Sequence, residues 1–511
     1  MIEGSRFPKA ERPPPAPRLP AGWGLAAIVA ASLALRLAVA LPMDIFQDEA
    51  LYWWGARPAE LSFSPQPPGV YLSVLAGTGV FGDTLLGLRA ATLLLGTGTV
   101  VLVYLLGREL YGPRAGLWAA AFFVFCPLLT GSGAAATPDG LVLFFWLLCA
   151  WAVWRAVRSP GPGWWALAGL ALVLGLYSKY MMVLAFPAAF VALIASPQGR
   201  RGLRTPWPWA AAGAALALFL PVFLGWQASH GWPATRYHLA ARHEWAPSAK
   251  RAASYVLNHA ASYSPVLWAG AIGALVAAAR AAWRGEARGA LLAGFGLLPI
   301  AFFLPPSVGT KNLMVQMHWA AFGYAVGLVA LGGVVAGGGR WRRRLGVAAL
   351  GVGGLATAAI LVGIFCPRLP LAFGMRPPGH RLLPWRELAE RLVERGLADE
   401  LVVTDSFGTT MGLGFHLGRR EGLYVLEGRR SEVYGLVGQL RLWRTDEGSL
   451  LAERGGRDVL YVHEHSCFSR CDCTKKPLRV AKLFREARLI ASVPLFHGDQ
   501  RAKCFHIYRL R

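Results

Sequence analysis

The stretch 340–366, RWRRRLGVAALGVGGLATAAILVGIFC, decides the fold class. From Leu345 to Cys366 it carries no charge, and an apolar run of about 18 residues or more reads as a transmembrane helix. Arg340, Arg342, Arg343 and Arg344 stand directly before it, as expected of a cytoplasmic loop. The chain that contains it has 511 residues, of which 55% are hydrophobic and only 16% charged, against about 25% charged in an ordinary soluble domain. The formal net charge of +24 does not indicate a nucleic-acid partner, because many of the basic residues lie between apolar runs.

Similar runs recur back to residue 23. Residues 1–21 read as a cytoplasmic segment, because Arg6, Lys9, Arg12 and Arg18 precede the first run. No small-residue cleavage site follows that run, so it reads as a retained helix. It delivers Asp44, Asp48 and Glu49 to an outer loop, 43–83. Gly69–Phe81 is too short to span comfortably and is expected to lie along the membrane surface. With that register, further spans fall near 84–106, 115–134, 140–156, 163–178, 181–196, 208–228, 264–281, 289–305, 317–336 and 345–366, and every inner loop is Arg-rich. The expectation is an all-α polytopic membrane domain over 22–366, with about eleven transmembrane helices plus juxtamembrane helices and a second long outer loop at 229–263.

Residues 367–511 return to soluble composition. RELAERLVERG has helical periodicity, and ELVVTD, GLYVLEG and DVLYVHEH are β-rich runs bounded by turn residues. A small α/β domain on the periplasmic side is expected. No nucleotide-binding glycine fingerprint marks it.

The unusual residues gather in the outer loops. Asp48 and Glu49 lie in MDIFQDEALYWW, and Asp139 in AAATPDGLVLFFW emerges on the same side. Two carboxylates on one face suit a reaction in which a hydroxyl attacks and an anion leaves, one carboxylate taking the proton. Each also has a structural explanation: acidic residues at a membrane boundary face water, and Asp139 suits a helix start. Lys179, Arg89 and Arg36 are basic groups on the same side that suit a departing phosphate; Arg36 and Arg89 are equally placed to reach the headgroups. His230, His238, His243 and His259 lie in the 229–263 loop with no standard metal spacing.

Five segments, in order, resemble the GT-C polyprenyl-phosphate-sugar glycosyltransferases. The nearest branch holds the bacterial aminoarabinose transferases and relatives of the protein mannosyltransferases. QDEALYWWGARPAELSFSPQPPGVYLSVLAGTGVFGDTLLGLR resembles the family's first outer loop, and TPDGLVLFFW its second acidic loop. GLALVLGLYSKYMMVLAFPAAFVAL resembles its Ser/Thr-Lys segment, and LGWQASHGWPATRYHLAARHEW its His-bearing loop. QMHWAAFGYAVGLVAL resembles its Asn-Trp-Pro-Ala segment, with His318-Trp319 in place of Asn-Trp.

The resemblance implies a bacterial inner-membrane enzyme. It would move a sugar from a polyprenyl-phosphate donor, with inversion, to an envelope acceptor at the periplasmic face. That acceptor is a lipid A, another glycolipid, a polysaccharide or a protein. Asp48 would be the base, Glu49 its support and Asp139 the second acidic residue. Lys179 and Arg89 would meet the donor phosphate, and His243 falls where relatives carry a metal- or phosphate-proximal histidine. Relatives often have Lys or His before the Pro-Pro pair, where this chain has Gln66, which supplies a hydrogen bond but no charge. Pro65 stands where an acidic metal ligand is sometimes found, so a divalent cation is the one cofactor left open. The competing reading is a polytopic transporter or lipid flippase.

Cys467, Cys471, Cys473 and Cys504 lie in the tail domain. In an oxidising compartment they are disulfide candidates, and sequence does not choose among the three pairings. His463 and His465 beside them make zinc the rival.

Overall fold

The computed structural model describes residues 21–56, 63–159, 161–240, 245–310, 317–366, 385–428, 431–432, 435–465, 483–497 and 500–511. Proline and short polar residues punctuate the helices. Proline opens many of them, where its missing N–H is not needed. In chain order the membrane domain holds α1 (Ala21–Ala40), α2 (Gln47–Gly55), α3 (Gly69–Phe81), α4 (Leu85–Tyr111), α5 (Pro113–Val124), α6 (Pro127–Gly131), α7 (Pro138–Arg158), α8 (Pro162–Ser178) and α9 (Ala185–Ile194). There follow α10 (Pro197–Leu203), α11 (Trp207–Ser229), α12 (Pro233–Ala240), α13 (Ala249–Tyr263), α14 (Pro265–Trp283), α15 (Ala287–Gly309), α16 (Met317–Ala336) and α17 (Arg340–Phe365).

Among the described residues eight helices are long and apolar enough to cross a membrane, or nine if Tyr180–Ile194 and Pro197–Leu203, bent by 119°, form one span. All eleven expected spans fall on helix, and three of them fall short of that length. Pro127, which cannot donate to the ladder, divides 115–134 into α5 and α6. α8 is 17 residues long. The third expected span is the bent pair. α3, 13 residues long, is also too short to count, as its length suggested. It folds back on α4 at a point where both helices need glycine: a Cβ on Gly77 would lie 2.1 Å from the Gly87 carbonyl oxygen.

The tail domain carries α18 (Trp385–Glu394), β1 (Val402–Thr404), α19 (Phe407–Leu417), β2 (Leu423–Val425), α20 (Val437–Leu442), α21 (Glu447–Arg454), β3 (Val459–His465), β4 (Ala487–His497) and β5 (Gln500–Leu510). The strand order is β2-β1-β3-β5-β4. β1 is parallel to both its neighbours, while β5 is antiparallel to β3 and β4. The three β-rich runs ELVVTD, GLYVLEG and DVLYVHEH form β1, β2 and β3 in that order.

One hydrophobic core joins this sheet to the membrane domain. Ile45, Leu51, Trp53 and Trp54 from the α2 region pack with Trp385, Phe407, Met411, Phe415 and Trp443 of the tail. Gly414 permits the contact, since a Cβ there would meet the Trp54 ring at 2.7 Å.

Candidate active site

The site is built on α2, which a buried ion pair fixes in place. Glu49 is the third residue of α2, and its Oε2 accepts the Phe46 N–H at 3.0 Å, closing the first turn on itself. Arg89 of α4 grips the same carboxylate, Nε to Oε1 at 2.7 Å and Nη2 to Oε2 at 2.5 Å. The Ala136 N–H donates to Oε1 at 2.7 Å. Arg89 Nη1 donates to the carbonyls of Ala40 and Met43, and Nη2 to that of Asp44 at 3.0 Å. All five guanidinium donors are thereby committed to protein, and both side chains are buried. In this structure every Arg89 N–H is committed to protein, whereas the resemblance implied a donor-phosphate contact for it. It staples the end of α1, the start of α2, α4 and the turn before α7 together.

Asp48 is the neighbour that this clamp leaves open. It is exposed to solvent and makes no hydrogen bond or ion pair among the described residues. Enough protein surrounds it that desolvation is the largest influence on its carboxyl, followed by the negative charges of Asp139 and Glu49. Lys179 opposes them, and the pKa is pushed up to about 6. Desolvation and neighbouring negative charge both favour the neutral form of a carboxyl. The adjacent Tyr52 hydroxyl is pushed up as well, by burial first and by Asp48 next.

Asp139, in the first turn of α7, lies between Lys179 and His318. Its Oδ1 lies 2.6 Å from Lys179 Nζ, and its Oδ2 lies 3.8 Å from His318 Nε2. Lys179 caps α8 in an extended conformation, and its own N–H closes the helix on the Gly175 carbonyl at 2.9 Å. The proline-rich segment carrying Gln66 lies alongside. Tyr180 donates to the Phe63 carbonyl, and a Cβ on Gly69 would sit 2.6 Å from the Tyr177 carbonyl oxygen. Gln66 itself is half-buried.

The structure thus brings Asp48, Glu49, Asp139 and Lys179 into one electrostatic neighbourhood, while Gln66 lies on a segment whose ends pack against Tyr177 and Tyr180. Arg36 is elsewhere. It is buried within the bundle against Gly96 and Gly133 and donates to the Ser32 hydroxyl. Its Nε and Nη2 find no partner among the described residues. Its side chain is fully buried in this structure, away from solvent. His243, Cys467, Cys471 and Cys473 lie outside the described residues. Cys504 is buried on β5, its Sγ 3.9 Å from His506 Nε2. Among the described residues no group of three or more His, Cys, Asp or Glu side chains could hold a metal ion.

Two features escaped sequence reasoning. The first is His318. Its signal was the His-Trp step in the last matched segment. The second is Asp44, which binds the tail: His416 Nε2 lies 2.7 Å from Oδ1, and the Arg386 N–H 3.3 Å from Oδ2. Burial works against ionisation of Asp44, but the His416 hydrogen bond and charge outweigh it and hold its pKa below the usual value. Arg420 adds a contact 3.9 Å over the Trp53 ring and donates to the Trp53 carbonyl at 2.9 Å. These contacts join residues more than three hundred positions apart, and no local pattern marks them.

Comparison with known proteins bears on this geometry. Residues 65–226 match the family model described as dolichyl-phosphate-mannose-protein mannosyltransferase. The chain is 31% identical over 259 residues to the undecaprenyl phosphate-alpha-4-amino-4-deoxy-L-arabinose arabinosyl transferase of Pseudomonas aeruginosa, covering 48% of this chain and 46% of that protein. It is 24% identical over 162 residues to the lipid A galacturonosyltransferase RgtD of Rhizobium johnstonii, covering 32% of this chain and 34% of that protein. The chain therefore spans less than half the length of these curated relatives. The crystal structure of ArnT from Cupriavidus metallidurans bound to undecaprenyl phosphate superposes with a TM-score of 0.69 at 13% identity, covering 96% of this chain and 98% of that one. The archaeal oligosaccharyltransferase AglB from Archaeoglobus fulgidus gives 0.50 at 14% identity, covering 86% and 69%. The chain thus has the GT-C fold in its aminoarabinose-transferase-like form, as the resemblance read from the sequence implied.

Proposed function

We propose that the chain is a membrane glycosyltransferase that moves a sugar from a polyprenyl-phosphate donor to an envelope acceptor. The observation that carries this reading is Asp48: an accessible carboxylate without a partner among the described residues, its pKa near 6, beside the Asp139–Lys179 pair. A base must be ionised and still hold a proton well, and a pKa a little below the working pH meets both demands. In the reaction the acceptor hydroxyl attacks the anomeric carbon and gives its proton to Asp48. The bond from that carbon to the phosphate oxygen breaks, and the electron pair leaves with the polyprenyl phosphate. Attack from the face opposite the leaving group inverts the centre. Lys179 supplies positive charge where the phosphate departs, with Gln66 offering an amide N–H. Glu49 and Arg89 act by holding α2, and so Asp48, in place. Among the described residues no set of ligands suits a divalent cation, and no step is routed through one.

In this reading the protein lies in the bacterial inner membrane with its N-terminus cytoplasmic. The α2 recess and the tail domain face the periplasm, because that register places the Arg-rich loops inside. The names of the relatives favour a glycolipid of the lipid A type as acceptor. The test is transfer by the purified protein in proteoliposomes from a radiolabelled undecaprenyl-phosphate aminoarabinose or galacturonate to lipid A. Labelled product from wild type but not from Asp48→Asn is expected. Equal labelling by the two would remove Asp48 from the chemistry, and no transfer from either donor to any envelope fraction would remove the reading.

A further inference from the structure

Resting on the transferase reading, we propose that His318 is the acid that meets the departing phosphate, held for that role by Asp139. The departing polyprenyl phosphate gains negative charge as its bond to the sugar breaks, and a nearby cation lowers that barrier. Among the described residues the basic groups divide by what already occupies them. Arg89 has every donor committed, and Arg36 is sealed inside the bundle. Lys179 is 7% exposed, with its ammonium 2.6 Å from Asp139 Oδ1. His318 is 34% exposed and stands 3.8 Å from the other oxygen, too far for a hydrogen bond but close enough for attraction. Asp139 thus binds Lys179 tightly and only orients His318, whose ring stays partly exposed.

The backbone beneath His318 is anchored. It lies on the 3-10 turn Met317–Ala320, whose Met317 carbonyl accepts the Tyr263 hydroxyl at 2.8 Å. Trp319 packs edge-on against Phe303 with ring centroids 5.8 Å apart. Charge bookkeeping gives the same assignment. With Asp48 and Asp139 negative and Lys179 positive, these three groups sum to −1 before His318 is counted, which repels an anionic donor. A protonated His318 brings it to zero. In the balanced step the acceptor proton goes to Asp48, and the Nε2 proton of His318 goes to the phosphate oxygen that receives the bonding pair. One proton later returns from Asp48 to the imidazole through solvent. The titratable and charged groups around the ring are Asp139 and Lys179. Of the helices packed against this turn, α13 carries Tyr255, His259, Tyr263, Lys250 and Arg251 and α16 carries Tyr324, while Asp48 and Tyr52 of α2 act electrostatically with Asp139.

The test is binding of a phosphodiester, undecaprenyl methyl phosphate, whose single charge does not titrate. The full-length protein is used in detergent, in the Asp48→Asn background that removes the carboxyl whose pKa lies near 6. Binding should tighten on the order of tenfold as the pH falls through the imidazole range, as expected for one hydrogen bond to a charged group. His318→Asn should abolish that dependence, and His318→Arg should bind tightly at every pH. Thermal melting identifies any variant that fails to fold, and the Arg variant supplies the second measurement if Asn does. In turnover, otherwise wild-type protein carrying His318→Asn should lose the alkaline limb of kcat/KM along with at least about a hundredfold of rate. Normal pH-dependent binding by His318→Asn, or an unchanged alkaline limb, would overturn the assignment. Phosphodiester binding with this signature but no sugar transfer would instead overturn the transferase reading and leave His318 as an anion site. Absence of both binding and transfer would sink the two together.

Discussion

Replacing Arg89 by methionine separates a structural clamp from a phosphate ligand. Methionine keeps much of the volume but leaves Glu49 as a buried, unpaired carboxylate and deprives the Ala40, Met43 and Asp44 carbonyls of their donor. Both side chains are essentially inaccessible, at 1% and 0%. Removing one partner of a buried pair typically costs about 3–5 kcal/mol. In a chain this large each kcal/mol moves the midpoint by less than about 2–4 °C, so a drop of several degrees is expected in detergent melts. The double variant Glu49→Leu/Arg89→Met should melt higher than Arg89→Met alone, because it leaves no isolated charge behind. Donor affinity measured on the fraction that remains folded should change little. A variant that melts like wild type but binds polyprenyl phosphate much more weakly would refute the clamp and restore Arg89 to the phosphate.

Asp48→Asn should lower turnover by at least about a hundredfold without lowering the melting temperature. The sign follows from the raised pKa. The folded state holds the Asp48 proton more tightly than the unfolded chain, so this group's stability contribution is full at acid pH and is lost as pH rises from the ordinary 3.8 through about 6. Asn lacks that loss and should melt at or above wild type at pH 7.5, while wild-type activity should climb through pH 6. Orientation is testable at two exposed positions on opposite ends of the bundle. Ser229→Cys should react with an impermeant maleimide in cells whose outer membrane alone is opened, and Arg343→Cys only after full permeabilisation; the reverse pattern would invert the register. His416→Ala should loosen the tail from α2, read as faster proteolysis of the tail and a fall in kcat with little change in KM for the donor, and unchanged values for both would detach the tail from the site.

How much of this was legible in the sequence depended on the range of the contacts. The membrane helices were readable because lipid demands unbroken apolar runs, and Leu345–Cys366 meets that demand alone. Pro127 and the bend after Ile194 were harder to read, since composition stays apolar across both breaks while direction does not. Asp48, Asp139 and Lys179 stood out because a charge among apolar residues is unusual. Sequence could not assign the basic residues to roles. Arg36, Arg89 and Lys179 look alike on paper, and only packing shows that one is sealed, one is committed to backbone carbonyls and one is paired to Asp139. His318 was visible as a departure from its segment's pattern but had no stated chemistry until Asp139 lay beside it.

The tail domain carries no catalytic motif, and the geometry of α2 explains why it needs none. A helix of nine residues is far below the length of about 12–15 at which isolated helices become even marginally stable, so α2 is ordered by what touches it. On one side Arg89 and the Ala136 N–H hold Glu49. On the other, His416 holds Asp44, Arg420 covers Trp53, and Gly414 lets the Trp54 ring settle onto α19. Trp53 is tied further by its indole N–H to Asp83 at 2.7 Å. Asp48 lies between these two sets of contacts and belongs to neither. Its freedom from partners depends on its neighbours being fully engaged, and half of that engagement comes from the tail. A base has to be placed to within a fraction of an ångström to act. On the proposed function, the tail domain would thus complete the support of the short helix that carries Asp48.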